Sequence, residues 1–457
     1  MANPNRDNSF SRAFIFVKLG HIPGPRGRAF FSYVRGFQQD ILGYFTKVYE
    51  DFGHIASFSW PMNSVIIYSP EFVKAVLIDQ ASSFEKGNQI GELKAVVGNG
   101  LATNNDEPSW RRNRSIISRE FGSKAFESSS SKMVQIIEES INLIEPGVCG
   151  VSSLIKKITF DVATNIFLGL DANSSESTCV EEAVSFTSEI TYQRIFEFLP
   201  LPYWVPTQTN RRFNRHYRDL EAIVGKILKA PKDSDAPQGG VLRRLLSAKD
   251  PDSGKGMSVT EIRDEILTIM IAGHDTSSHT LIWTLGLIAQ HPDVQEKIYQ
   301  EILDADHLDV SRATQGTPFL QNVLFESMRL YPAFPVLSRK AKSEVYLGEH
   351  RIPPQTNVVI PIYVIQRSEE FWESPLQFLP KRFENRDALN SFSFLPFSKG
   401  KRRCVGEIFA MTEMTVILMM LLKKFKVSLV ESCLPDPIAN VTLKPEVDIV
   451  LRFEMRA

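Results

Sequence analysis

The chain's strongest chemical signal is Phe397-Ser-Lys-Gly400-Lys-Arg402-Arg-Cys404-Val-Gly406, which sets a cysteine behind basic residues and directly ahead of an apolar helical run. A helix start offers unpaired backbone N–H groups and positive potential, and both favour a thiolate, as do neighbouring cations. Gly400 and Gly406 allow a tight turn and a close approach of backbone to a flat object. A thiolate so held is a strong metal ligand. A second constellation, Ala272-Gly273-His274-Asp275-Thr276, puts an acid beside an alcohol in the middle of a helical pattern. Asp275 can pass on protons, and Thr276 can bond its own helix backbone or open a kink for water. Glycine inside a helix costs about 1 kcal/mol relative to alanine, so Gly273 implies a compensating use. Ala272 and Gly273 together leave room for a flat cofactor and a small gas molecule.

These stretches resemble the cytochrome P450 family. F-x-x-G-x-R-x-C-x-G is similar to its haem-binding loop at each defined position, and A/G-G-x-D/E-T to its acid–alcohol pair. Glu326-Ser-Met-Arg329 and Pro380-Lys-Arg382-Phe383 resemble its E-x-x-R and P-x-R-F segments. The resemblance implies a buried triad of Glu326, Arg329 and Arg382 that holds the cysteine loop; an isolated E-x-x-R would be a solvated pair worth under about 1 kcal/mol. Trp110-x-x-x-Arg114, Arg339 and Arg402 stand where the family places partners of the haem propionates. Phe397, Gly400, Gly406, Ala272 and Gly273 complete the implied cofactor surroundings. The likeness runs from Ile22 to the C-terminus, with two departures. The usual H-R-D-P reads Gln366-Arg367-Ser368-Glu369, and the usual I-P-x-G reads Ile352-Pro-Pro-Gln355. The related ω-hydroxylase group commonly carries a glutamate, covalently bonded to haem, at the position of Ala272. Alanine there implies haem b held noncovalently, apart from the Cys404 sulfur–iron bond.

The resemblance implies a mainly α fold with a small β-rich portion, the haem lying between a long distal helix and the cysteine-loop helix. It implies a haem-thiolate monooxygenase that inserts one oxygen atom of O2 into an apolar substrate, of fatty-acid, terpenoid or steroid-like type. Asp275, Thr276 and water would supply protons, and a separate ferredoxin, flavodoxin or reductase would supply electrons. Lys399, Lys401 and Arg403, with Arg111 and Arg112, would form a basic face steering an acidic partner. Phe196, Phe198, Ile269, Ala272 and Val336 are the expected substrate contacts. Two other readings stand beside this one. A peroxygenase driven by H2O2 shares the haem-thiolate but lacks the acid–alcohol pair. A haem-based gas sensor or carrier would bind ligands without turnover.

The elements that must position these residues can be read from pattern. Ser258-x-x-Glu261 is a capping box opening a helix that runs to Gln290, where His291-Pro292 stops it. Positions 269, 272, 276 and 280 share one of its faces. Thr317-Pro318 predicts an N-cap and first helical residue for the segment holding Glu326 and Arg329. Residues 37–52 read as one amphipathic helix, 54–68 as a hairpin, 81–109 as a flexible loop region, and 230–256 as a surface loop around one short helix. Strands are expected at 345–348, 358–364, 427–430 and 447–453, with a helix at 407–425 between them.

Length and composition bound the rest. The chain has 457 residues, but no low-complexity linker or repeat divides it, so one domain over 22–457 is expected after a polar extension, 1–21. A net charge of −1 gives no general case for nucleic acid. The cysteines at 149, 179, 404 and 433 lie far apart with no C-x-x-C spacing, which fits a reducing compartment and argues against a zinc or disulfide framework. The one early apolar run, Ala13–Val17, is far below the roughly 20 residues needed to span a bilayer. A cytoplasmic monomer without a membrane anchor is the expectation.

Overall fold

Helices and short strands alternate at the start of the chain, the middle is helical, and strands return after Tyr331. The computed structural model describes residues 19–26, 28–58, 63–87, 90–171, 175–196, 201–229, 241–305, 316–439 and 442–456. Helices α1 (Arg28–Gln39) and α2 (Ile41–Phe52) lead into strands β1 (Ile55–Phe58) and β2 (Ser64–Ile67), then α3 (Pro70–Lys74), β3 (Phe84–Lys86) and α4 (Ile90–Val97). The helical body holds α5 (Glu107–Glu120), α6 (Ser123–Asn142), α7 (Val151–Ala163), α8 (Ser175–Phe196), α9 (Gln208–Lys229), α10 (Val241–Ser247), α11 (Val259–Gln290), α12 (Pro292–Asp304) and α13 (Pro318–Leu330), with β4 (Gly147–Gly150) between α6 and α7. Strands β5 (Leu337–Ala341), β6 (Val345–Leu347), β7 (His350–Ile352) and β8 (Asn357–Ile360) follow. Short helices α14 (Ile362–Ile365) and α15 (Asp387–Asn390) precede α16 (Glu407–Lys424), and β9 (Phe425–Leu429), β10 (Pro437–Ala439), β11 (Leu443–Pro445) and β12 (Val450–Met455) end the chain. The architecture is mainly α with small sheets, as the pattern predicts.

The principal sheet has the order β1-β2-β8-β5-β3. Its one parallel pair is β2–β8; the others are antiparallel. An apolar core of its own, with Val65, Ile67, Leu347, Val358 and Ile360 fully covered, separates this region from the helical body. Leu19 and Ile22 are buried in it too, which anchors the start of the described chain. The larger core surrounds α11, whose 32 residues are buried along most of their length. The Ser258–Glu261 capping box forms as predicted, each side chain meeting the other's backbone N–H. No described helix is long and apolar enough to cross a membrane.

Several local expectations fail for identifiable reasons. The helix read over 37–52 is two helices, because the Asp40 carboxylate accepts from Gly43 N at 2.9 Å and starts α2 afresh. The loop predicted at 81–109 contains β3 and α4; β3 owes its existence to β5, a partner far along the chain that local periodicity cannot reveal. The strand read over 358–364 stops at Pro361, beyond which α14 begins. Thr317 does not cap α13 with its side chain. Glu301 of α12 does so instead, its carboxylate accepting from Phe319 N at 2.7 Å and Leu320 N at 2.8 Å. Within 230–256, α10 is the short helix expected, while 230–240 lie outside the described residues. Most of the polar extension, 1–18, lies outside them as well.

Candidate active site

Cys404 ends a tight loop just ahead of α16. Its backbone N–H donates to Phe397 O at 2.9 Å, closing the loop, and Arg403 N donates to Gly400 O at 3.0 Å. Gly400 sits at φ 77°, and a Cβ there would lie 2.2 Å from Leu77 O, so only glycine fits. Gly406 differs: its φ of −88° suits any residue, and the nearest atom to an added Cβ is 3.8 Å away. The chain itself therefore demands glycine at 400, not at 406. The Cys404 residue is exposed, yet burial is the largest influence on its thiol. Burial pushes the thiol's pKa up, outweighing the Gly406 amide and the charges of Arg114 and Lys86 that pull it down. The helix start and the nearby cations are thus only part of the balance; direct metal coordination is what would hold this sulfur as an anion.

A buried scaffold stands behind the loop. Glu326 and Arg329 are both inaccessible and pair through two bonds, Nε to Oε2 at 2.7 Å and Nη2 to Oε1 at 2.8 Å. Arg382 Nε joins Glu326 Oε1 at 3.2 Å, and Leu379 N donates to the same oxygen at 2.8 Å. The remaining Arg329 donors reach Gln366 O, Pro375 O and Gln377 O at 2.8, 2.7 and 3.1 Å. The structure thus brings the predicted triad together, Glu326 and Arg329 fully covered and Arg382 at their edge, with every charge hydrogen-bonded. Gln366, which reads as a departure in the sequence, is part of this scaffold. Its amide nitrogen donates to Met328 O and Arg329 O at 2.9 and 3.0 Å, and its oxygen accepts from Leu395 N at 2.9 Å, two residues before Phe397. The other departure, Gln355, holds φ 66° where glycine would be unstrained.

On the opposite side, α11 carries Ala272 exposed in the midst of a buried helix, with Gly273, Asp275 and Thr276 half-buried beside it. A Cβ on Gly273 would have room, 3.9 Å from the Phe167 ring. Phe167 packs at 5.4 Å on Phe121, and Phe121 is the nearest neighbour of Gly406. One aromatic wall therefore borders both the helix and the cysteine loop. Thr276 Oγ1 donates to Ala272 O at 2.7 Å, the first of the two arrangements its sequence context allows. Asp275 lies 4.0 Å from His274 Nε2. Glu413 of α16, fully covered and pushed up to about 8 by burial, bonds Ser277 next to Thr276.

The strongest electrostatic feature is a knot of cations. The β3–β5 register sets Lys86 directly opposite Arg339, a like-charged pair that costs energy in a sheet. Arg402 and Arg114 stand close enough to depress the Lys86 pKa further, below what burial alone would give, and burial holds Arg339 at about 10. Among the described residues, the side chains of Lys86, Arg114 and Arg339 have no carboxylate partner. Arg402 reaches Glu107 at 3.4 Å and Asn104 O at 2.9 Å, and its guanidinium lies 3.8 Å over the Trp110 ring. Arg339 is buried and Lys86 and Arg114 are half-buried, and cations withdrawn from water without anions favour a ligand that brings negative charge. Two propionates fit that demand, and the exposed sulfur of Cys404 and the bare stretch at Ala272 fit the flat body of a haem. Lys86 is the site residue missed from sequence: a lone F-x-K carries no signal until the strand pairing is known.

Other predicted residues fall out less tidily. Ile269 is buried one turn before Ala272 on α11, and Val336 is half-buried just before β5. Phe198 and the side chain of Phe196 lie outside the described residues. The basic cluster is already largely paired. Lys401 and Arg111 both reach Glu107, at 3.0 and 3.1 Å; Arg112 pairs with Glu261 and Arg403 with Glu407; Lys399 donates to Leu389 O at 2.9 Å.

Comparison with known proteins fits this geometry. The family profile described as Cytochrome P450 matches residues 22–452. Cytochrome P450 3A41 of Mus musculus is 28% identical, with 97% of this chain and 92% of that protein covered. Cyclooctat-9-en-7-ol 5-monooxygenase of Streptomyces melanosporofaciens is 26% identical, over 78% of each. The bifunctional cytochrome P450/NADPH–P450 reductase 1 of Bacillus subtilis (strain 168) is 27% identical over 87% of this chain, which corresponds to 39% of that longer protein.

Proposed function

Because the chain belongs to the cytochrome P450 family, and so is an oxidoreductase of the monooxygenase class, we propose that it hydroxylates an apolar small molecule of fatty-acid, terpenoid or steroid-like type with O2, drawing electrons from a separate redox partner. The observation that carries the proposal is the Lys86–Arg339 pair with Arg114 and Arg402 around it: partly buried positive charge gathered within electrostatic reach of an exposed cysteine. Haem b, bound through Cys404 and otherwise noncovalently, supplies the reductive activation of oxygen.

The chain's own contributions follow from its geometry. Cys404 is presented by a loop whose turn requires Gly400 and whose base is tied through Gln366 to the Glu326–Arg329–Arg382 triad. Lys86, Arg114, Arg339 and Arg402 would hold the propionates, and the Trp110 ring under the Arg402 guanidinium would orient it. Ala272 and Gly273 keep the distal face clear. Thr276 holds its hydroxyl against Ala272 O, and Asp275 is its neighbour in the chain; together they would pass protons to oxygen activated at the cofactor. Ile269 and Val336 give apolar lining, and the aliphatic character around them suits a substrate with little polarity.

Electron donors of ferredoxin, flavodoxin or flavin-reductase type are the proposed partners. Because Glu107, Glu261 and Glu407 offset much of the basic cluster, docking is expected to depend on surface shape as well as charge. The test of the substrate proposal is optical titration of the haem-loaded protein with fatty acids, terpenes, steroids and simple aromatics. An apolar binder that displaces the distal water, followed by a hydroxylated product under NADPH with a partner system, supports it. Polar ligands alone producing the shift would contradict it.

A further inference from the structure

His274, between Gly273 and Asp275, packs into α7 and is only 2% exposed. Its ring meets that of Phe160 edge to face, with centroids 5.2 Å apart and planes at 82°. Nδ1 lies 3.3 Å from Thr159 Oγ1. On the other side of the ring, Nε2 has Asp275 Oδ1 at 4.0 Å, too far for a hydrogen bond. Among the described residues Nε2 has no other polar partner.

Two observations decide which nitrogen carries the ring's proton. Burial pushes the imidazole's pKa down, outweighing the upward pull of Asp275, so the ring holds one proton at neutral pH. Thr159 has a single hydroxyl hydrogen, and Ile155 O at 3.0 Å and Lys156 O at 3.2 Å both lie nearer to Oγ1 than Nδ1 does. With that hydrogen given to its own helix, Oγ1 can only accept from the ring. Nδ1 is then the protonated nitrogen, and Nε2 faces Asp275 as a bare lone pair.

We propose that His274 is a positioning residue for Asp275: in the tautomer that Thr159 sets, its Nε2 accepts from Asp275 when that carboxyl is protonated and offers the ionised carboxylate nothing. The inference rests on the reading of Asp275 as the proton source. A hydrogen bond to the neutral form of a carboxyl favours that form. From 4.0 Å, a small turn of the Asp275 side chain closes the bond while the proton is present. Once the O–H bond has broken and the proton has passed toward Thr276, oxygen and nitrogen are two acceptors and the carboxylate is free to turn away. Solvent replaces the lost proton, and the ring keeps its own throughout. The opposite tautomer would donate from Nε2 to the carboxylate and hold it ionised. The other titratable groups facing the pair are Lys156 of α7 and His279 of α11, which burial pushes down to about 3; Glu413 of α16 bonds Ser277, two residues from Asp275. None of them supplies Nε2 with a partner.

The test uses the haem-loaded full-length protein and reads the chain itself as well as turnover. Nitrogen NMR of the reduced, carbon monoxide-bound protein with isotope-labelled histidine reports the tautomer, the His274 signal being the one lost in His274→Phe. The parent ring should show a protonated Nδ1 and a bare Nε2. Infrared titration follows the carboxyl C=O band that Asp275→Asn removes. Thr159→Val, which deletes the acceptor at nearly equal volume, should move the ring proton to Nε2 and lower the midpoint of that band by about one pH unit. It should also raise the share of consumed oxygen released as hydrogen peroxide about twofold, with a surrogate ferredoxin and its reductase as electron source. His274→Phe keeps an aromatic ring against Phe160 but has no Nε2; it should lower the midpoint likewise, and it serves if Thr159→Val does not fold. Thr159→Ser restores the hydroxyl and should keep the parent's tautomer and midpoint. A parent ring protonated at Nε2, or an unmoved midpoint in Thr159→Val and His274→Phe with the haem-thiolate spectrum intact, overturns the role of His274 alone. A parent without that spectrum would instead overturn the reading of the site.

Discussion

Behind Cys404, the loop is held by a redundant buried network: Glu326, Arg329, Arg382 and Gln366 make many hydrogen bonds to side chains and carbonyls, and none of the four is exposed. In front of it, the segment between α4 and α5 is tied to α11 by two amide–carboxyl bonds and to the cysteine loop by Arg402. The difference teaches where the molecule tolerates motion. The cysteine side is over-determined, so its geometry survives the loss of any weak contact; the α4–α5 segment is held by fewer bonds and is the easier of the two to open locally.

Breaking the thiolate side should therefore cost most. Glu326→Ala leaves two buried guanidinium groups short of their anion, and denaturant unfolding should show a loss of about 3–5 kcal/mol, with little haem retained. A loss below about 1 kcal/mol would mean the triad is no more than a surface-like pair and that the two regions do not differ in how firmly they are held.

A titration sharpens the same contrast. Glu413, on the thiolate-side helix against α11, keeps its proton in the folded chain to about 8 but has an unperturbed value of 4.5. The native state then binds more protons than the unfolded state between those values, so stability falls as pH rises through the window. Glu413→Gln should flatten that slope by on the order of 3 kcal/mol, read as the difference in unfolding free energy between pH 5 and pH 8. An unchanged slope would place the proton elsewhere.

The cation knot lies between the two regions. Lys86→Met should weaken haem retention about tenfold while Lys86→Arg retains it, measured by transfer of haem to an acceptor protein. Equal retention by both would show that Arg114, Arg339 and Arg402 suffice. On the oxygen side, Thr276→Ala should leave the thiolate spectrum unchanged and divert consumed oxygen to hydrogen peroxide, a change in partition that a structural role would not produce. The smallest effect belongs to the surface: Lys401→Glu should slow reduction by a partner less than about threefold, because Lys401 is already paired with Glu107.

How far the sequence discloses this depends on the range of each interaction. The long helix announces itself through its capping box and face, and the cysteine loop through a dense local pattern, because both depend on neighbours in the chain. Lys86 does not, since its meaning comes from pairing with Arg339 across the sheet. Asp264 and Glu265 look like ordinary helix acids until the backbone amides of Asn99 and Leu101 are seen against them. Gln366 reads as a deviation and turns out to bridge the end of α13 to the cysteine loop. Glu301 capping α13 is hidden in the same way, behind a Thr-Pro pair that looks sufficient by itself.

The most direct test of the central claim is the difference spectrum of the dithionite-reduced, haem-loaded protein with and without carbon monoxide, taken beside Cys404→Ala. A strongly red-shifted Soret band in the parent and its loss in Cys404→Ala is the predicted result. A parent without that band, or a variant that keeps it, would contradict sulfur ligation by Cys404.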